Sequence, residues 1–243
     1  MKYLLIMEYD GSEFYGYQKQ KGLRTIEGQL ELALEKLTKK KIMTYGAGRT
    51  DKGVHAMGQV VHFTAEIQIT PYRLIAGLNH FLPDDIQIIH CEEASAFFHA
   101  RFHAKEKSYK YFLYNDYFMP PTLRKYRGHR NYPLDMEAME RASRYLMGDH
   151  DFRAFTQDLP PDENTHRILN DIKIQKIDHD IVFTFRGRSF LKNMIRIIVG
   201  SLIDVGRGKH PPEWILEVLE SKDREKAGMT VEPGGLYLWD IRY

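Results

Sequence analysis

The chain has 243 residues, 43% hydrophobic and 28% charged, with 35 Lys and Arg against 33 Asp and Glu for a formal net charge of +2. That profile is that of an ordinary soluble globular protein, and the length suits one large domain or two modest ones. No apolar run approaches the ~20 residues of a membrane helix, and the single cysteine, Cys91, excludes an internal disulfide and a thiolate metal cluster, so a reducing, cytoplasmic setting is expected.

Residues 2–9 (KYLLIMEY) read as the first strand, closed by the turn pair Asp10-Gly11. Glu8 interrupts the apolar stretch, which argues against a signal peptide. Over 26–39, Ile26, Leu30, Ala33, Leu34 and Leu37 fall at helical spacing behind Thr25 as N-cap. Alternation predicts strands at 42–46 and 58–65, with the glycine-rich GAGRTDKGVHA between them. Thr70-Pro71 opens a helix to about Phe81, and IQIIHC (86–91) forms a strand. The order β-α-β-β-α-β is the ferredoxin-like arrangement.

The second half echoes this order without repeating its sequence. SYKYFLY (108–114) alternates as a strand, and Asp135 caps a helix that ends before Gly148. Strands follow at about 171–177 and 180–186, then a helix near 190–205 ending at Gly206. A short helix opens after Pro211-Pro212, and LYLWDIRY closes the chain as a strand. PPTLRKYRGHRNYP (120–133) has little periodicity and reads as a long basic loop, a kind of segment that is often functional. The expected fold class is α+β: two ferredoxin-like halves, 1–100 and 101–243, sharing one continuous, mostly antiparallel sheet flanked by helices, since no low-complexity linker separates them.

Charge is unevenly spread. Arg101 to Arg130 holds eight Lys or Arg against Glu106 and Asp116, and Arg186 to Lys209 holds six against Asp204. A basic face for a phosphate backbone is one reading; a solvated surface with chance clustering is the other.

The strongest local signal is Gly46 to Ala56. Its glycines allow unusual backbone angles and close approach, and they frame Asp51 between the cations Arg49 and Lys52. Nearby positive charge favours an ionised carboxylate, usable as a nucleophile or base. Neither G-x-G-x-x-G nor G-x-x-x-x-G-K-[ST] is present, so a nucleotide-cradling loop is set aside. Asp51, His55, His62 and Glu66 lack the tight spacing of a metal motif. A salt-bridged hairpin loop remains the plain alternative.

GRTDKGVHA followed by GQVVHF resembles the catalytic loop of the tRNA pseudouridine synthases of the TruA type. YDGSEFYGYQKQ (9–20) is similar to that family's opening motif, with Tyr17 where many members carry tryptophan. FHARFHAKEKSYKYFLYN (98–115), GDHDFRAF (148–155), FLKNMIRIIVGSLIDVGRG (190–208) and GLYLWDIRY (235–243) resemble further motifs in order. The resemblance covers essentially the whole chain. It departs where Glu232-Pro233-Gly234 replaces a common Ala-Pro pair.

The resemblance implies an isomerase that converts uridine to pseudouridine at positions 38, 39 or 40 of the tRNA anticodon arm. It places the essential aspartate on Asp51, its arginine on Arg49, the active-site tyrosine on Tyr109 and the apolar wall of the base pocket on Leu236, in a cleft between the halves. Lys52, His55 and Arg196 join Tyr109 and Leu236 as expected substrate-contacting residues. Arg196 lies on or beside an apolar helix stripe and needs a partner, for which Asp51 is a candidate. Tyr109 could equally pack in a core, since Tyr111 shares its face. No cofactor or metal is implied, because moving a base within one nucleotide is redox-neutral. A homodimer spanned by one tRNA is expected. Two other functions fit parts of the pattern: an RNA-binding module, for which the RRM signature is missing, and an N-glycosidase, which would release free uracil.

Overall fold

A computed structural model describes residues 1–67, 69–158, 160 and 162–243. The chain is a mixed α/β protein whose strands pair mostly antiparallel, with five α-helices among the described residues. It divides into two units. The first holds residues 1–105 with 237–243, and the second holds 106–236.

In the first unit, β1 (Lys2–Tyr9) is the central strand, its Tyr3, Leu5 and Met7 fully buried. It runs antiparallel to β3 (His55–Thr64), with Lys2 opposite Thr64 and Tyr9 opposite Ala56. On its other side it pairs antiparallel with β4 (Ile86–Ala94). The free edge of β3 is shared. Its far end takes the short β2 (Thr44–Gly46) antiparallel, and its start takes the closing strand β10 (Leu236–Arg242) in parallel, Tyr237 opposite His55. The closing strand, expected with the second half, therefore lies by its contacts with the first from Tyr237 onward.

Two helices accompany this sheet. Thr25 is extended (φ −131°, ψ 153°) and its hydroxyl accepts from Gly28 N–H, so α1 (Ile26–Thr38) starts where the sequence predicts. It stops when Lys39 turns left-handed at φ 60°. Helix α2 (Pro71–Phe81) opens on proline, and Thr70 makes no side-chain cap bond. Proline lacks the first of the donors that a cap would satisfy. Leu74 and Leu78 of α2 are buried, and a Cβ on Gly77 would come 2.8 Å from the tip of the Leu37 side chain, which would have to shift.

In the second unit, β5 (Glu106–Asn115), β9 (Asp180–Gly187), β8 (His166–Ile177) and β7 (Gly148–Asp151) pair antiparallel in that order. Helix α3 (Met136–Arg144) is capped by Asp135, which accepts from Ala138 N–H, and packs on α4 (Met194–Gly206), the most buried helix. Helix α5 (Trp214–Ser221) follows.

Two expectations change here, and one strand appears that the sequence did not announce. The segment 120–133 is not a simple loop, because its residues Gly128–Arg130 form β6, which joins β5 in parallel with Leu113 opposite Gly128. The helix expected from 190 begins at Met194, because Asn193 sits at φ 57°, outside the range a right-handed helix allows. GDHD (148–151) is a strand, too short and polar to show alternation.

Candidate active site

Asp51 lies in a loop that a second loop holds down. After β1, Gly11 donates its N–H to His55 Nδ1 at 3.1 Å, and a Cβ there would collide with the Val54 carbonyl. Gly16 takes φ +89°, and a Cβ on it would fall 2.8 Å from the Thr50 carbonyl. Tyr17 N–H then donates to that carbonyl at 3.0 Å. Residues 9–17 therefore lie directly against residues 46–55, and glycine is required at both points of closest approach.

The flanks of Asp51 are fixed from behind as well. Tyr9 and Thr50 share a buried hydroxyl–hydroxyl hydrogen bond of 2.8 Å. Gln59, 0% exposed on β3, donates to Gly48 O at 2.6 Å and accepts from Gly48 N at 3.2 Å. Val54 N–H donates to Asp51 O at 3.1 Å, closing a turn through Gly53 at φ +77°. Side chains of the sheet thus hold the Thr50 side chain and the Gly48 backbone, while the Tyr17 N–H holds the carbonyl of the peptide before the acid.

The cations around Asp51 behave differently from the expectation. Among the described residues no ion pair joins Arg49 or Lys52 to Asp51. Lys52 Nζ instead stands 4.0 Å from the centre of the Tyr15 ring, a cation–π contact, and Arg49 is exposed. His55 is 2% exposed, uses Nδ1 for Gly11 and stacks on Tyr237 at 4.6 Å. Its ring is thus buried against the loop and Tyr237.

In the second unit, Tyr109 and Tyr111 share one face of β5 and part in role. Tyr111 is fully buried and donates its hydroxyl to Glu232 O at 3.2 Å. Burial, with the Glu232 carboxylate next, pushes its phenol far above the usual range. Tyr109 is 7% exposed, stands opposite Phe185 on β9 and meets Phe190 edge-on at 5.0 Å. Leu236 opens β10 directly after the 3-10 turn Pro233–Gly235. Glu232, the departure noted in the sequence, accepts from Arg130 Nη1 at 3.1 Å, so it ties that turn to β6. Arg196 donates from Nε to Val231 O at 2.8 Å and from Nη1 to Asn193 Oδ1 at 2.9 Å.

Gln59, Tyr9, Gly11, Gly16, Tyr111 and Arg130 escape the sequence reading as site residues. Each acts through a partner distant in sequence; the quoted motifs around residues 9–20, 58–63 and 98–115 and the basic stretch to Arg130 contain them without marking these roles.

A family model described as tRNA pseudouridine synthase matches residues 5–103 and 142–243. The chain belongs to the tRNA pseudouridine synthase family. It is 48% identical over 239 residues to the tRNA pseudouridine synthase A of Finegoldia magna, covering 98% of both chains. It is 42% identical over 240 residues to that of Thermoanaerobacter sp. (strain X514), covering 99% of this chain and 98% of the relative. Among solved structures, the archaeal box H/ACA sRNP Nop10–Cbf5 complex shares 11% identity with a TM-score of 0.37, over 83% of this chain and 43% of that one. The enzyme is thus an isomerase acting on tRNA. The matched stretches include Asp51, Arg49, Arg196 and Leu236; Tyr109 and the basic segment up to Arg130 fall between them.

Proposed function

We propose that the enzyme makes pseudouridine at positions 38, 39 or 40 of the tRNA anticodon arm, with Asp51 as the carboxylate on which bond breaking depends. The observation that best supports this reading is the construction of the Asp51 loop. Two glycines, a tyrosine–threonine pair and Gln59 fix the backbone around an acid that forms no ion pair with its flanking cations. A buried frame around an acid that forms no ion pair among the described residues suits a group that must act on a ligand rather than hold the fold together.

The reaction breaks the bond between uracil N1 and ribose C1′ and forms one between C5 and C1′. A proton leaves C5 and N1 gains one, so no oxidant, donor group or metal is needed. The target nucleotide is extruded from its stack first. Asp51 attacks the ribose or the ring, or assists departure of uracil, and all three routes share its dependence on the carboxylate. Arg49, exposed and unpaired with Asp51, takes the space of the extruded base or a neighbouring phosphate. Tyr109 offers a ring face and a hydroxyl for the C5 proton, Leu236 an apolar wall, and Lys52 and Arg196 charge for the RNA.

Both units are read as ferredoxin-like, on the β-α-β-β-α-β order of the first, and the enzyme as a homodimer on family resemblance. Tritium release from tRNA labelled at uracil C5 tests the chemistry. Release of free uracil instead would make the chain an N-glycosidase, and no release with tight RNA binding a binding module. Sedimentation at twice the chain mass of 28.6 kDa tests the dimer.

A further inference from the structure

The segment 117–134 contains no carboxylate but carries Arg124, Lys125, Arg127 and Arg130. In the structure it borders a hollow of about 480 Å³ in the second unit, whose lining includes Tyr117, Phe118, Arg124, Arg127, His129 and Glu232. That size is within the range of small-ligand sites and large enough for a nucleotide.

The hollow is firmly built. β6 runs beside β5, and Asn115 Nδ2 donates to Arg130 O at 3.0 Å and Tyr132 O at 2.9 Å. His129 donates from Nε2 to Asp116 O at 2.8 Å. Gly234 lies so near the Lys125 carbonyl that a Cβ would collide with it. Arg127 lies 4.4 Å over the Phe112 ring with Nε 2.9 Å from Asp180.

Its charges do not cancel. Glu232 is matched by Arg130, and Asp180 by Arg127. Arg124 is exposed and has no ion-pair partner among the described residues. Beside it Tyr117 and Phe118 meet edge to face at 4.6 Å and stay 66% and 80% exposed. Large aromatic surface left in water next to a spare guanidinium suits a planar ring joined to an anion.

We propose that this hollow is a second RNA subsite of the enzyme. It takes one unstacked nucleotide of the tRNA, with the base on the Tyr117 and Phe118 rings and the phosphate at Arg124. The proposal rests on the reading of the chain as a tRNA-modifying enzyme and extends it to a residue set that the chemistry does not use.

The test measures Kd for total tRNA by filter binding over a range of salt, for the full-length chain and for Phe118→Ala, Arg124→Ala and Arg124→Lys. Each is made also in an Asp51→Asn background, so that binding is read without turnover. Phe118→Ala should weaken Kd about tenfold. Arg124→Ala should lower the slope of log Kd against log salt by about one, and Arg124→Lys should restore it. A short oligouridylate should compete for the site better than inorganic phosphate. Three results would overturn the proposal: Kd within about twofold of the parent for both alanine variants, competition by phosphate equal to that by oligouridylate, or a changed sedimentation of the RNA-free protein with Kd unmoved. Failure of C5 tritium release with these binding effects intact would strike the catalytic reading alone.

Discussion

Gln59→Met isolates the frame around Asp51 from Asp51 itself. The substitution keeps length and volume in a fully buried position while removing the donor and acceptor that hold Gly48. Each lost hydrogen bond at a partly buried backbone group costs about 1 kcal/mol, and a thioether in place of the amide recovers none of it. The sum is about 2–3 kcal/mol, which for a chain of this size lowers Tm by about 5–10 °C. Because Gly48 precedes Asp51 by three residues, the loop should also lose aim, with kcat for pseudouridine formation falling about 10–100-fold. The assay pairs a thermal melt by circular dichroism with C5 tritium release at saturating tRNA. A Tm within about 1 °C of the parent would show that Gln59 does not support the loop. A lower Tm with unchanged kcat would show that the loop's aim does not depend on it.

Asp51→Asn should give the opposite pattern: a nearly unchanged Tm, since no ion pair is lost, and a loss of activity of several orders of magnitude. Retention of activity within about tenfold would remove Asp51 from the mechanism. Gly16→Ala should lower Tm through both its φ of +89° and the approach to the Thr50 carbonyl, and an unchanged melt would mean that the two loops part at little cost. His62 is held down to about 4 by burial first, with His99, Lys2 and His103 adding to it, while its Nδ1 accepts from Ala100 N–H. The unfolded chain binds that proton near pH 6.5 and the folded one does not, so stability is full above about pH 7 and falls as pH drops from 6.5 towards 4. The loss from His62 should reach about 2 kcal/mol at pH 5, read as a Tm that declines between pH 7 and 5; His62→Asn should flatten that slope.

The local chemistry of the chain is legible without a structure. Thr25 and Asp135 start their helices because the donors they satisfy are three residues away. β1, β5 and β10 show themselves by alternation or unbroken apolar runs, and the acid within its glycine loop is visible as a motif. The matching of ordered motifs over the whole chain was enough to identify the family. Tertiary structure decided matters whose partners are remote. His55 is 44 residues from the Gly11 N–H that claims it, Tyr9 is 41 from Thr50, and Tyr111 is 121 from Glu232. A histidine, a glutamine or a tyrosine carries no mark in sequence of whether it will meet a backbone donor, a carboxylate or water. Tyr109 and Tyr111 are alike in the strand pattern, and it is over Tyr111 that Glu232 and the 233–235 turn close. For the same reason β6 was hidden: an extended piece of a basic segment becomes a strand when β5 supplies the donors and acceptors, and hydrogen bonds across a sheet leave no period in the sequence.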